Sequence, residues 1–188
     1  MNANATTWPV IWILMGPSGS GKSTVGRLLA GGFECDFIEG DRRHPPANVA
    51  KMARGEPLDA ADRRIWLYDL TAELGRRGAL TQETVVTCSA LGRATRDTLS
   101  ACGRVCFLYP KVAEDELRQR LDGRDHFFDS ALLASQLAAL DDIAAEEPVI
   151  VLDGEQPPEA ITAEAEERIA ERWPERPKRW WELGISGV

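Results

Sequence analysis

The sequence predicts an α/β fold with five parallel strands in one sheet and helices on both faces. Three observations predict it. Short apolar runs alternate with helical patterns along the chain, the pattern of strand–helix–strand units. The first run, Val10-Ile11-Trp12-Ile13-Leu14-Met15, leads through a glycine-rich loop straight into a helical pattern. The length, 188 residues, fits one domain (1–188) with a sizeable core.

Strands are predicted at 9–15, 34–39, 83–88, 104–109 and 149–152, each carrying an apolar run such as Val105-Cys106-Phe107-Leu108-Tyr109 or Val149-Ile150-Val151-Leu152. Helices are predicted near 21–31, 59–77, 91–101, 112–121, 130–141 and 158–172. Two segments interrupt the alternation. Residues 42–66 carry Pro45, Pro46, Gly55 and Pro57 among many charges and read as a small substrate-binding insert. Residues 120–130, between two helices, read as a mobile lid. The tail, 173–188, is rich in proline and tryptophan, and its tryptophans are expected to pack on the domain or on a second subunit.

Composition narrows the function. The chain is 44% hydrophobic and 28% charged, with a net charge of −8 and a pI near 4.9. That balance disfavours binding to the phosphate backbone of nucleic acid. The start of the sequence lacks a signal-peptide pattern, and no apolar run is long enough to span a membrane, so a cytoplasmic protein is expected. Cys35, Cys88, Cys102 and Cys106 have no zinc-site spacing. Of these, Cys35, Cys88 and Cys106 lie in or beside apolar runs and are expected to be buried thiols.

Chemistry enters with Gly16-Pro17-Ser18-Gly19-Ser20-Gly21-Lys22-Ser23, which fits the phosphate-binding P-loop pattern G-x-x-x-x-G-K-S/T. A strand–loop–helix in this place aims backbone N–H groups and the positive end of a helix dipole at a polyphosphate. Gly16, Ser18, Gly19, Ser20, Gly21, Lys22, Ser23 and Thr24 are therefore the candidate ATP-binding residues. Lys22 would serve the β- and γ-phosphates, and the Ser23 hydroxyl would serve Mg²⁺. Ligands in such folds bind beyond the carboxyl ends of the strands. There Asp41 reads as the sole acid of its strand end facing the crevice, able to orient an acceptor hydroxyl or join the Mg²⁺ shell. His44 is stiffened by Pro45-Pro46, and Lys51 and Arg63 could meet an anionic substrate. Arg120 and Arg124 stand four apart at the start of the lid, a spacing that puts both on one helix face to close over a triphosphate. His126-Phe127-Phe128 gives the lid an apolar lip.

Six ordered motifs add a resemblance. Gly40-Asp41-x-x-His44-Pro45, Asn48-Val49-Ala50-Lys51-Met52-Ala53-Arg54-Gly55-Glu56-Pro57-Leu58 and Asp62-Arg63-x-x-Trp66-Leu67 resemble the bacterial gluconokinases, small P-loop carbohydrate kinases. Cys88-Ser89-Ala90-Leu91 with Arg96-Asp97 continues the likeness, as does His126-Phe127-Phe128 followed by Leu132-Leu133-x-Ser135-Gln136. The resemblance implies a nucleoside-monophosphate-kinase-like fold, a homodimer, and ATP- and Mg²⁺-dependent phosphorylation of D-gluconate at its 6-hydroxyl. It further implies that Asp41, His44, Lys51 and Arg63, with His126 from the lid, lie along the sugar acid, while Arg120 or Arg124 closes on ATP. The sequence departs from that family at Gly92 and Thr95, where a lysine and a tyrosine are usual, at Ile65, where a proline is usual, and at Asp125, where a glycine is usual.

Overall fold

The computed structural model describes residues 8–56, 58–122 and 130–176, the last stretch with Ser130 and Ala131 as backbone alone. Its five-stranded sheet has the order β2-β3-β1-β4-β5, with every pair parallel. The strands are β1 (Ile11–Leu14), β2 (Asp36–Glu39), β3 (Thr84–Thr87), β4 (Val105–Lys111) and β5 (Val149–Asp153). The helices are α1 (Lys22–Phe33), α2 (Pro46–Ala53), α3 (Ala60–Ala79), α4 (Arg93–Ser100), α5 (Glu114–Asp122), α6 (Ser130–Ala138) and α7 (Pro158–Arg172). All five predicted strands and all six predicted helices are present.

Alternation along β1 divides the core in two. Ile11 and Ile13 point to one face, where Trp66, Leu70 and Leu74 of α3 and Leu99 of α4 cover them. Trp12 and Leu14 point to the other, against Val25, Leu29 and Phe33 of α1 and Ile161, Ala165 and Ile169 of α7. Each large apolar side chain buried in these layers contributes about 1.5–3 kcal/mol. A smaller cluster of Val112, Leu117, Leu121 and Leu133 ties α5 to α6.

The expected insert is more regular than its prolines suggest. Pro46 occupies the first turn of α2, where its missing N–H is no loss and its fixed φ suits a helix. A 3-10 turn, Gly40–Arg43, precedes it. The last part of 42–66 is the start of α3, opened by a capping box in which Asp59 accepts from the N–H groups of Ala61 and Asp62 while Asp62 accepts from that of Asp59.

One further expectation is corrected. Cys35 is only half buried, because it sits in the turn before β2 instead of in the strand. Cys88 and Cys106 are buried, and burial pushes the Cys88 thiol far above its ordinary pKa and that of Cys106 up to about 12. Both are inert as nucleophiles at neutral pH.

The described part of the tail packs on the domain. Trp173 meets Trp12 edge-on, with ring centroids 5.6 Å apart. Arg176 lies over the Phe33 ring at 3.9 Å and pairs with Glu83 at 2.9 Å, and Glu83 also accepts from Trp12 Nε1. Residues 177–188 lie outside the described residues. No helix among the described residues is long and apolar enough to cross a membrane.

Candidate active site

The loop between β1 and α1 is bent by glycines in left-handed conformation, φ being 86° at both Gly19 and Gly21. Gly21 caps α1 without a side-chain hydrogen bond, so the first N–H groups of the helix are left for an anion. Lys22 is buried, and its Nζ donates to the Pro17 carbonyl at 2.8 Å, which Ser20 Oγ also reaches at 2.8 Å. The loop is pinned to the sheet where Gly16 N–H donates to the Ser89 carbonyl at 3.0 Å. Thr24 is exposed in the first turn of α1. This arrangement can cradle a polyphosphate with backbone donors and one ammonium.

Ser23 Oγ donates to Glu39 Oε1 at 2.8 Å. Thr87 Oγ1 donates to the same carboxylate oxygen, and Arg27 pairs with the other at 3.0 Å. Sequence reasoning gave this place to Asp41 and missed Glu39. Phe37 and Glu39 share one face of β2, and that face packs on α1, which carries Ser23. The chain then enters the 3-10 turn and turns Asp41 elsewhere. Gly40 makes the turn possible: a Cβ there would stand 2.1 Å from the Thr87 carbonyl oxygen. Hydroxyls and a carboxylate gathered at the P-loop are the hard oxygen donors that suit hydrated Mg²⁺.

Beside the P-loop lies a cavity of about 640 Å³. Ser18 and Lys22 reach into it from the loop, Asp41, His44 and Arg63 from the insert and α3, and Ser135 and Gln136 from α6. Ser89, Leu91, Gly92 and Thr95 form the wall after β3. The His44 ring stacks on Trp66 with centroids 4.5 Å apart and planes at 16°. Trp66 is itself fixed by Nε1 donating to the Gly40 carbonyl at 2.9 Å. Burial lowers the His44 pKa more than the nearby Asp41 charge raises it, so the ring is neutral at pH 7.

Lys51 stands apart from this group. Its Nζ pairs with Asp62 at 2.6 Å and with Asp59 at 3.7 Å, and it does not line the cavity. Arg120 is likewise engaged elsewhere, donating to Glu116 at 2.7 Å and to the Gly154 carbonyl at 3.0 Å. Arg124 and His126 lie outside the described residues, and with them the expected pairing of Arg120 and Arg124 on one helix face.

A buried arginine that the sequence reading named only as part of a motif, without a role, shapes the wall after β3. Arg96 is 1% exposed. It holds Glu147 at 2.5 Å and donates to the carbonyls of Leu91 at 2.6 Å and Asp142 at 3.1 Å. The loop it clamps contains Ala90 at φ 43°, a left-handed conformation that a non-glycine residue holds only when its surroundings enforce it.

The chain matches the sequence model of the AAA domain family over residues 11–143. It is 41% identical over 161 residues to a gluconokinase of Gluconobacter oxydans (strain 621H), covering 83% of this chain and 89% of that protein. It is 38% identical to the thermoresistant gluconokinase of Escherichia coli (strain K12), covering 85% and 93%. Among solved structures, a gluconokinase from Sinorhizobium meliloti 1021 superimposes with a TM-score of 0.81 at 38% identity, covering 89% of this chain and 95% of that one. With a P-loop, a strand-end acid pair and an adjoining cavity in place, and with gluconokinases 38–41% identical over most of its length, this chain belongs to the gluconokinase family of P-loop kinases.

Proposed function

We propose that this protein transfers the γ-phosphoryl group of ATP to the 6-hydroxyl of D-gluconate, giving 6-phospho-D-gluconate. One observation carries the reading beyond family membership: Lys22 and Ser18 of the P-loop and Asp41 of the strand end line the same cavity, so a phosphoryl donor and a small acceptor can meet in one place. The P-loop amides and Lys22 hold the triphosphate. Asp41 accepts a hydrogen bond from the acceptor hydroxyl and directs its oxygen at the γ-phosphorus. Neutral His44, stacked and held in orientation, hydrogen-bonds the polyol. Arg63, the cavity's cation on α3, takes the carboxylate in place of Lys51. Ser23 and Glu39 would hold Mg²⁺ through oxygen and its water shell. That ion, when bound, supplies charge neutralisation on the phosphates.

The assembly we propose is a homodimer in the cytoplasm. On the outer side of α3, Ile65 is 63% exposed and Tyr68 77% exposed, with Ala61, Ala72 and Gly75 continuing the same helical face. A second copy would cover that face. Light scattering that gives a monomer at working concentrations removes this part of the reading.

ATP consumption measured across sugar acids, polyols and neutral sugars tests the acceptor. Gluconate should be preferred over glucose by about ten- to a hundredfold, the worth of one charge-assisted contact. Equal rates with the two would overturn the sugar-acid assignment.

A further inference from the structure

Gln136 connects the nucleotide and acceptor halves of the crevice. It is half buried on α6, lines the acceptor cavity, and its side-chain oxygen accepts from the backbone N–H of Ser18 at 2.8 Å. A backbone N–H can only donate, so the atom facing it is the amide oxygen, and the orientation of the amide is determined. The two Nε2 donors therefore face away from Ser18 and have no hydrogen-bond partner among the described residues.

The position of Ser18 gives those donors a purpose. Ser18 and Lys22 are the P-loop residues that reach into the acceptor cavity. A P-loop lysine serves the β- and γ-phosphates, so the transferred group must stand where this part of the loop meets the cavity. α6 does not need Gln136 to stay in place, because Leu133 packs it against Leu117 and Leu121.

We propose that Gln136 is a phosphoryl-orienting residue: anchored through its oxygen to Ser18, it donates from Nε2 to the γ-phosphoryl group of ATP. The proposal rests on the kinase reading for its donor but not on the identity of the acceptor. It makes α6, which follows the lid in sequence, a reader of the third phosphate.

The test compares nucleotides. Affinities for ADP and for a non-hydrolysable ATP analogue are measured by calorimetry in the wild type, Gln136→Met and Gln136→Glu, beside melting temperatures and gluconate-dependent turnover. Gln136→Met removes both ends of the amide at similar size. Gln136→Glu keeps the oxygen on Ser18 and replaces the donors with a charge. Both variants are expected to bind ADP within twofold of wild type and to bind the analogue about tenfold or more weakly, since a hydrogen bond to a charged group is lost. Gln136→Glu should be the weaker of the two, and turnover should fall in both. An analogue affinity unchanged in Gln136→Met overturns the proposal. So does an equal loss for ADP and the analogue, which would make Gln136 a support for the loop shape. If wild-type protein binds both nucleotides but gluconate stimulates nothing, the acceptor assignment fails, while the affinity ratio still decides the role of Gln136.

Discussion

Replacing Arg96 by methionine should be among the most damaging single changes outside the P-loop. Arg96 is 1% exposed, and the Glu147 side chain that faces it is 5% exposed. The substitution keeps most of the volume but leaves the Glu147 carboxylate with only the Ala144 N–H at 2.8 Å and the more distant Arg93 guanidinium at 3.9 Å among the described residues. It also takes the Arg96 donor from the Asp142 carbonyl and from the Leu91 carbonyl, which keeps the Asp141 N–H at 3.1 Å. Breaking a buried pair from one side costs about 3–5 kcal/mol. A domain of this kind has about 5–15 kcal/mol in total. For its size the melting temperature should therefore drop by about 6–20 °C. Urea unfolding at pH 7 measures the loss, and the double variant Arg96→Met/Glu147→Leu should recover much of it because no charge is then stranded. The pair also gives the fold an acid limit. Arg96 holds the Glu147 carboxyl below its usual range. Its contribution is present above the unfolded carboxylate pKa, about 4.3, and is lost as pH falls through the lower folded value. Glu147→Gln should flatten that part of the stability–pH curve. A loss below about 1 kcal/mol in Arg96→Met, or a double variant as unstable as the sum of the singles, would falsify this account.

Three other outcomes follow from the site. Lys22→Ala should remove most turnover by withdrawing the ammonium from the β- and γ-phosphates while leaving the far-ultraviolet spectrum unchanged; wild-type turnover would place Lys22 away from the phosphates. Asp41→Asn should lower the turnover number far more than nucleotide affinity, and a variant that loses ATP binding but turns over normally at saturation assigns Asp41 to the nucleotide instead. Gly40→Ala should destabilise the protein by at least about 1–3 kcal/mol, because its Cβ meets the Thr87 carbonyl oxygen at 2.1 Å and backbone must shift; an unchanged melting temperature would mean that β2 and β3 separate freely there.

The strands were legible because a sheet covered on both sides needs runs such as Ile11–Leu14 that are apolar throughout. The P-loop was legible because its backbone shapes demand glycine and its chemistry demands lysine. α2 was not, since Pro45-Pro46 reads as a breaker unless the second proline is recognised as a helix start. Glu39 was obscured by Asp41 two residues later: both stand at the strand end, and only the 3-10 turn decides which one meets Ser23. A clue was present in the alternation of Phe37 and Glu39 on the face toward α1. Arg96 and Gln136 stood in the motifs that carry the resemblance, but their roles were hidden for a different reason. Each lies on a helix that a sequence reading treats as surface, and their importance depends on carbonyls and an amide contributed by distant loops.

The strand order carries a consequence for biosynthesis. β1 is made first yet lies in the middle of the sheet, and its two neighbours, β3 and β4, are made third and fourth. Until Thr84–Thr87 emerges from the ribosome, the segment Ile-Trp-Ile-Leu has no strand to pair with. The last stitch comes later still: Arg176 reaches Glu83 across 93 residues, and Glu83 meets Trp12 across 71. Contacts this remote in sequence form slowly, and exposed apolar strands invite aggregation meanwhile. A growing chain of this topology therefore keeps its most apolar strand without either neighbour until Thr84–Thr87 and then Val105–Lys111 have been made.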